Sequence, residues 1–239
     1  MPTSFGPTFT GVGIGPGDPE LLTAKALRVL RDADRVFGPS MAVDAVGRAE
    51  SVVREAAPGV AVERLVFAIR RDDHARREAH RAAAARVVAC LDEGENVAFV
   101  TLGDPNVYST FHHLAGIVSE LRPDVAIETV PGVMAFQDLA SRSHTVVVDG
   151  TEHLAVVSAV DGPAAVEQAL ADDAAIVVYK GGRYLPEIAG LLDRAGRLDG
   201  AVFGELLGLP GERVGSVKAF ADGPAAYLAT VIVPPVRRS

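Results

Sequence analysis

Two stretches of the chain set Gly-Asp-Pro directly after an apolar run: "GVGIGPGDP", Gly11 to Pro19, and "TLGDPNVYST", Thr101 to Thr110. At the end of a strand this triplet has two uses. Glycine lets a bulky ligand approach the backbone, and aspartate accepts hydrogen bonds or attracts a ligand ammonium group. The same triplet also builds an ordinary turn with a helix cap, and for either loop alone both readings stand. Two such loops after two strands favour a ligand, because small molecules in open α/β sheets sit beyond the carboxyl ends of the strands.

The first loop lies where a dinucleotide fingerprint would lie, but it does not fit one. With Gly11 and Gly13 as the first pair, the third glycine position holds Pro16; with Gly13 and Gly15 it holds Asp18. No Gly-Lys-Ser/Thr follows, so the phosphate-loop pattern fails as well. There is no CxxC or HExxH and no other zinc spacing. None of the constellations of covalent catalysis is present. Candidates for a base are His112, His113, Glu205 and Tyr108. The two histidines are adjacent on a helix, so their rings point in different directions; the bland reading has one packed and one solvated.

Strand-like and helical patterns alternate around these loops. "FTGVGIG" reads as the first strand and "DPELLTAKALRVLRDAD" as one helix, with Asp18 as its N-cap, Pro19 at its first position and an apolar face of Leu22, Ala26, Val29, Leu30 and Ala33. "ADRVFGP" is the second strand. Residues 41–57 look helical, and "VAVERLVF" is a strand. "DDHARREAHRAAAARVVACLDEG" is a long helix ending at Gly94. The almost wholly apolar "NVAFVTL" is a parallel strand covered on both faces. "VYSTFHHLAGIVSEL", "VAIETV" and "VMAFQDLASRS" continue the rhythm as helix, strand and helix. Several strands beyond Thr151 are close in sequence, which predicts a more mixed sheet. The expected architecture is therefore α/β, with domains at 1–147 and 148–239.

The chain has 239 residues, of which 49% are hydrophobic and 23% charged, a soluble globular composition with room for a sizeable core. Its apolar runs are far shorter than a membrane span, and "MPTSFGPTFT" has no signal-peptide pattern. The single cysteine, Cys90, excludes an internal disulfide and fits a reducing cytoplasm. The net charge of −8 and pI near 5.2 argue against a nucleic-acid partner.

"VGIGPGDPELLTAKALRVLRDAD", "VAFVTLGDPNVYSTF" and "ETVPGVMAFQDLA" resemble the three signatures of the tetrapyrrole methylases, which transfer methyl groups from S-adenosylmethionine to corrin and porphyrin precursors. The resemblance extends over nearly the whole chain. "GDPNVYSTF", "VVYKGGRYLPEIAGLL" and "LGLPGERV" look most like the subgroup that methylates carbon 20 of precorrin-2 or of cobalt-factor II, a step of cobalamin biosynthesis.

The resemblance implies a two-domain α/β homodimer of the cytoplasm, with a mostly parallel N-terminal sheet, a mixed C-terminal sheet and the cofactor in a cleft between the domains. It implies that Pro16, Leu102, Gly103, Asp104, Val107, Tyr108, Met134, Ala135, Lys180, Gly208 and Tyr227 hold S-adenosylmethionine. Relatives often carry Ser or Thr in place of Met134, which makes a backbone contact the expectation there. Many carry Met in place of Lys180, and the carbon-20 subgroup shares the lysine. In this reading Pro105 and Asn106 make the turn, and Tyr108 to Phe111 begin the helix that closes the site.

A tetrapyrrole substrate bears many carboxylates, so an acidic protein needs local positive charge to receive it. Lys25, Arg28 and Arg183 lie closest in sequence to the implied site loops. Arg70, Arg71, Arg76, Arg77, Arg81 and Arg86 are the densest supply, partly offset by Asp72, Asp73 and Glu78; a solvated helix face is the other reading of that segment. No bound metal is expected. Other readings are a different corrin or siroheme-pathway methylase of the same fold, a relative acting on protein or RNA, a tetrapyrrole-binding protein without turnover, and a nucleotide-dependent oxidoreductase that the failed fingerprint disfavours.

Overall fold

The structure is a computed structural model that describes residues 6–42, 44–67 and 73–237. It divides into two compact units, Met1–Met134 and Ala135–Ser239.

The first unit runs β1 (Thr8–Gly13), α1 (Ala24–Asp32), β2 (Arg35–Ser40), α2 (Arg48–Ala56), β3 (Val62–Val66), α3 (Asp73–Asp92), β4 (Val97–Thr101), α4 (Thr110–Leu121) and β5 (Ala126–Val130). Its five strands form an all-parallel sheet in the order β3-β2-β4-β1-β5. All five residues of β4 are buried, as the apolar run "NVAFVTL" requires of a central parallel strand. Phe9, Phe37, Phe99 and Phe111 form the centre of a core closed by Ala84, Val87 and Leu91 of α3 and Leu114 and Val118 of α4. The Phe9 and Phe111 rings lie 5.2 Å apart, and Gly11 is bare because a side chain there would meet the Phe111 ring at 2.6 Å.

Two helices differ from expectation. The segment read as one helix from Pro19 is a single 3-10 turn, Pro19–Leu21, capped by Asp18, followed by α1. Leu22 is extended between them, and Thr23 supplies a second cap by accepting from Ala26 N–H at 3.0 Å. Two capping residues close in sequence thus split the helix, while Leu22, Ala26 and Leu30 still point into the core. In the segment read as helical over 41–57, α2 starts only at Arg48. The Ser40 hydroxyl lies 2.7 and 2.6 Å from the Ala42 and Ala45 carbonyls, side-chain contacts of a kind that compete with helix. The long helix α3 ends as expected, with Gly94 left-handed at φ +83 and Glu95 N–H returning to the Cys90 carbonyl. Arg70, Arg71 and Asp72 lie outside the described residues.

The second unit runs α5 (Ala135–Arg142), β6 (Leu154–Ser158), α6 (Ala164–Ala169), β7 (Ala175–Tyr179), α7 (Leu185–Arg194), β8 (Val202–Glu205), β9 (Arg213–Ser216) and β10 (Ala229–Val233). The strand order is β6-β7-β10-β8-β9; only β6 and β7 are parallel, which makes this the mixed sheet. The division between the units precedes the expected boundary near 148. The physical reason is α5, whose fully buried Leu139 packs against Val177, Leu207 and Ile232 of the second unit.

Glu50 of α2 is the most deeply buried carboxylate among the described residues of the first unit, at 2% exposure. It accepts from Arg64 Nε at 2.6 Å and Arg54 Nη2 at 2.5 Å, and the Arg64 guanidinium holds it below its usual 4.5. A carboxyl depressed on folding adds stability above its unfolded pKa and loses it as pH falls through the folded value. Replacing Glu50 by Ala removes the buried acceptor of both the Arg64 and the Arg54 bonds and should cost about 3 kcal/mol at neutral pH. Urea unfolding should show that difference at pH 7 and a difference that shrinks progressively as pH falls below 4.5; a difference independent of pH would refute the ionic origin.

Candidate functional site

In the first unit, the carboxyl ends of β1, β4 and β5 crowd together. A Cβ on Gly132 would lie 2.1 Å from the Gly103 carbonyl oxygen, and one on Gly13 would lie 2.6 Å from the same atom. Only glycine permits this approach. Gly103 itself sits at φ +68, and a side chain there would meet nothing within 4 Å. The cradle is therefore closed by backbone beneath and open on the side that Gly103 faces. Gly103 N–H donates to the Gly15 carbonyl at 2.7 Å and Ile14 N–H to the Thr101 carbonyl at 3.1 Å, so the two glycine loops are stitched together. Pro16 is buried beside them.

Asp104 braces the cradle. Its Oδ1 accepts from Asn106 N–H at 2.8 Å and its Oδ2 from Gly132 N–H at 3.1 Å. It does not cap α4; that work falls to Ser109, which accepts from Phe111 N–H at 3.1 Å and donates to the Thr101 hydroxyl at 3.0 Å. The helix expected to begin at Tyr108 starts at Thr110, because Tyr108 is left-handed at φ +49. A left-handed non-glycine residue costs about 1 kcal/mol. Tyr108 is 46% exposed, Leu102 and Val107 are half-buried, and Met134 ends the unit.

The remaining first-unit candidates lie apart from the cradle's hydrogen bonds. Lys25 and Arg28 are on the exposed face of α1, where Arg28 pairs with Asp32 at 3.7 Å. Arg76, Arg77 and Arg81 face solvent on α3, and Arg86 pairs with Glu63 at 3.0 Å. His112 and His113 are both exposed on α4, so neither is the packed one of the pair; their rings are 5.7 Å apart, and His113 lies 6.0 Å from His80. Burial among these groups lowers the pKa of His80. Among the described residues no group of three or more His, Cys, Asp or Glu is placed to hold a metal ion.

In the second unit, the loops after β7 and β8 enclose the segment leading into β10. Lys180 and Leu206 are both left-handed non-glycine residues, at φ +59 and +52. Their amides donate to successive carbonyls: Lys180 N–H to Ala229 at 3.2 Å and Leu206 N–H to Leu228 at 3.1 Å. Lys180 Nζ stands 5.8 Å from the centre of the Tyr227 ring, within cation–π range. Gly208, at φ +68, donates its N–H to Glu212 at 2.6 Å. Arg183 is exposed, its guanidinium over Tyr184.

Glu205 is only 4% exposed and both its oxygens are taken, by Arg213 Nε at 2.5 Å and Ala226 N–H at 2.6 Å. That arrangement is unsuited to a proton acceptor. Tyr179, absent from the sequence reading, accepts from Phe136 N–H at 3.2 Å at the first turn of α5, the helix that Ala135 opens. Burial pushes its phenol up to about 12, so it stays protonated at neutral pH. Gly132 and the Glu212 bond were also missed. A third Gly after a strand, in "TVPGV", was the available signal for Gly132; nothing local marks Tyr179 or Glu212.

Comparison with known proteins gives this geometry a context. The chain is 34% identical to a Precorrin-2 C(20)-methyltransferase from a Sinorhizobium species, over 94% of each chain. It is 30% identical to a Cobalt-precorrin-2 C(20)-methyltransferase of Salmonella typhimurium, over 92% of each. The crystal structure of the methyltransferase CobJ superposes with a TM-score of 0.69 at 19% identity, covering 98% of this chain and 97% of that one, a likeness of fold. The family profile described as Tetrapyrrole (Corrin/Porphyrin) Methylases matches residues 8–220, and the chain belongs to that family.

Proposed function

We propose that the chain transfers a methyl group from S-adenosylmethionine to carbon 20 of precorrin-2, or of its cobalt-bearing counterpart cobalt-factor II, in cobalamin biosynthesis. Relation to a Precorrin-2 C(20)-methyltransferase along almost the full length of both chains carries this reading. In it, Pro16, Leu102, Gly103, Asp104, Val107, Tyr108 and Met134 of the first unit hold the cofactor. Ala135, Lys180, Gly208 and Tyr227 of the second unit do likewise, and Lys25, Arg28 and Arg183 meet substrate carboxylates. The fit rests on the cradle, where Gly103 faces open space and Gly13 and Gly132 let the loops close beneath it. The reading includes a cytoplasmic homodimer, supported by the family resemblance and the single cysteine.

When bound, S-adenosylmethionine supplies a methyl carbon already activated by a positive sulfur. The protein's part is then to position. Asp104 fixes two of the three loop ends, leaving lone pairs on both oxygens for a ligand donor. Holding two reacting centres in line can supply about 7–11 kcal/mol in the best cases.

The direct test gives purified protein and S-adenosylmethionine metal-free precorrin-2 in one tube and cobalt-factor II in another, without oxygen. One added methyl group by mass spectrometry in either tube is the expected result, and the faster tube names the substrate. No product in either, with S-adenosylhomocysteine bound, would retain the cofactor and reject the acceptor. At the residue level, Asp104→Ala should weaken S-adenosylhomocysteine binding about tenfold or more, the equivalent of ~1.4 kcal/mol, while unfolding stays cooperative. Unchanged affinity by calorimetry would remove Asp104 from the site.

A further inference from the structure

Four hydrogen bonds hold the short segment Ala225–Ala229 between two loops of the second unit. Ala225 N–H donates to the Gly182 carbonyl at 2.8 Å, and the amides of Leu206 and Lys180 reach the Leu228 and Ala229 carbonyls. The fit against Gly182 is close enough that a Cβ there would fall 2.0 Å from the Ala226 carbonyl oxygen. The fourth bond differs from the others. It is the one made by an ionised side chain: Ala226 N–H donates to Glu205 Oε2 at 2.6 Å. Charge-assisted bonds of this kind are shorter and stronger than neutral ones.

Tyr227 follows directly. The residue is 49% exposed, and the backbone on either side of it is held by these bonds. Lys180 stands over that ring while its own left-handed backbone is held by the bond to Ala229. A carboxylate buried among apolar neighbours is costly unless fully paired, and here the second pairing is spent on a loop amide rather than on another strand. Arg213 completes the charge balance from a half-exposed position.

We infer that Glu205 is a positioning residue: its buried carboxylate, by gripping Ala226 N–H, fixes the Tyr227 ring beneath the Lys180 ammonium. The consequence for binding rests on the proposed role of Lys180 and Tyr227 in holding the cofactor. The geometric part does not. Loss of the grip frees the Tyr227 ring and weakens the cofactor contact, whereas loss of the Arg213 partner leaves the grip in place.

Two readouts separate these parts. The chain has four tyrosines, so fluorotyrosine labelling gives four fluorine resonances, and a Tyr227→Phe variant assigns the relevant one. Glu205→Ala should shift and sharpen the Tyr227 resonance and raise the S-adenosylhomocysteine dissociation constant about tenfold. Glu205→Gln, which retains an acceptor for Ala226, and Arg213→Gln should leave the resonance in place and the constant within about threefold of wild type. Glu205→Asp keeps the charge, lets the long Arg213 side chain follow, and falls short of Ala226; it should behave like the alanine variant and serves if that variant does not fold.

A Tyr227 resonance unmoved in both Glu205→Ala and Glu205→Asp would overturn the inference. So would Arg213→Gln or Glu205→Gln matching the alanine variant, because that pattern belongs to a plain ion pair. A resonance that moves as expected in a protein whose wild type binds no S-adenosylhomocysteine would sustain the positioning role and reject the proposed function.

Discussion

The first unit is organised by one steric constraint: the carbonyl of Gly103 lies where a β-carbon on Gly132 would have to be. Three strand ends can crowd this closely only if none of them carries a side chain at the contact. Much else follows from that approach. Gly103 N–H finds the Gly15 carbonyl, and the Asp104 carboxylate reaches across to Gly132. The backbone that would otherwise need solvent is paired locally, as buried polar groups must be. The result is a surface of main chain rather than side chains at the carboxyl edge of a parallel sheet, where such sheets accept ligands.

The second unit reaches an ordered loop cluster by a different route. Its antiparallel strands cannot use a stack of β–α turns, and the segment before β10 is held from both sides by side chain and main chain together. Two residues accept left-handed backbone to do so, Lys180 and Leu206. Strain of this kind persists only where surrounding bonds over-determine it, and here each strained residue spends its amide on the same segment. The histidines and arginines that looked chemically promising face solvent instead. The groups that shape the loops are glycines, the carboxylates of Asp104, Glu205 and Glu212, and the Tyr179 phenol, which burial keeps protonated at neutral pH.

Most of the fold was legible because its signals are periodic or compositional. A wholly apolar run such as "NVAFVTL" can hardly be anything but a central parallel strand, and closely spaced strands after Thr151 foretold the mixed sheet. The errors have local causes. Asp18 caps a single 3-10 turn and Thr23, five residues on, caps α1, with Leu22 buried between them. The Ser40 hydroxyl reaches the Ala42 and Ala45 carbonyls, a competitor to helix that periodicity does not register. In the loops, Gly103 and Asp104 could be singled out because they follow a strand in a repeated pattern. Glu205 could be noticed only as an acid; its two partners, one eight residues away and one twenty-one, exist only after the strands have paired.

The placement of the loops on their sheets has a consequence for how the protein opens. β4 and β10 are each the middle strand of their sheet and are buried at every residue. Strands of this kind are among the last to exchange their amide hydrogens, because they open only when the whole unit does. The Gly103 loop leaves from the end of one of them, and the Tyr227 segment leads into the other. The edge strands β3 and β6 carry none of the contacts described for these loops and can fray without moving either. The loops therefore share the cooperativity of the cores beneath them, and their geometry should persist on heating until each unit melts as a whole.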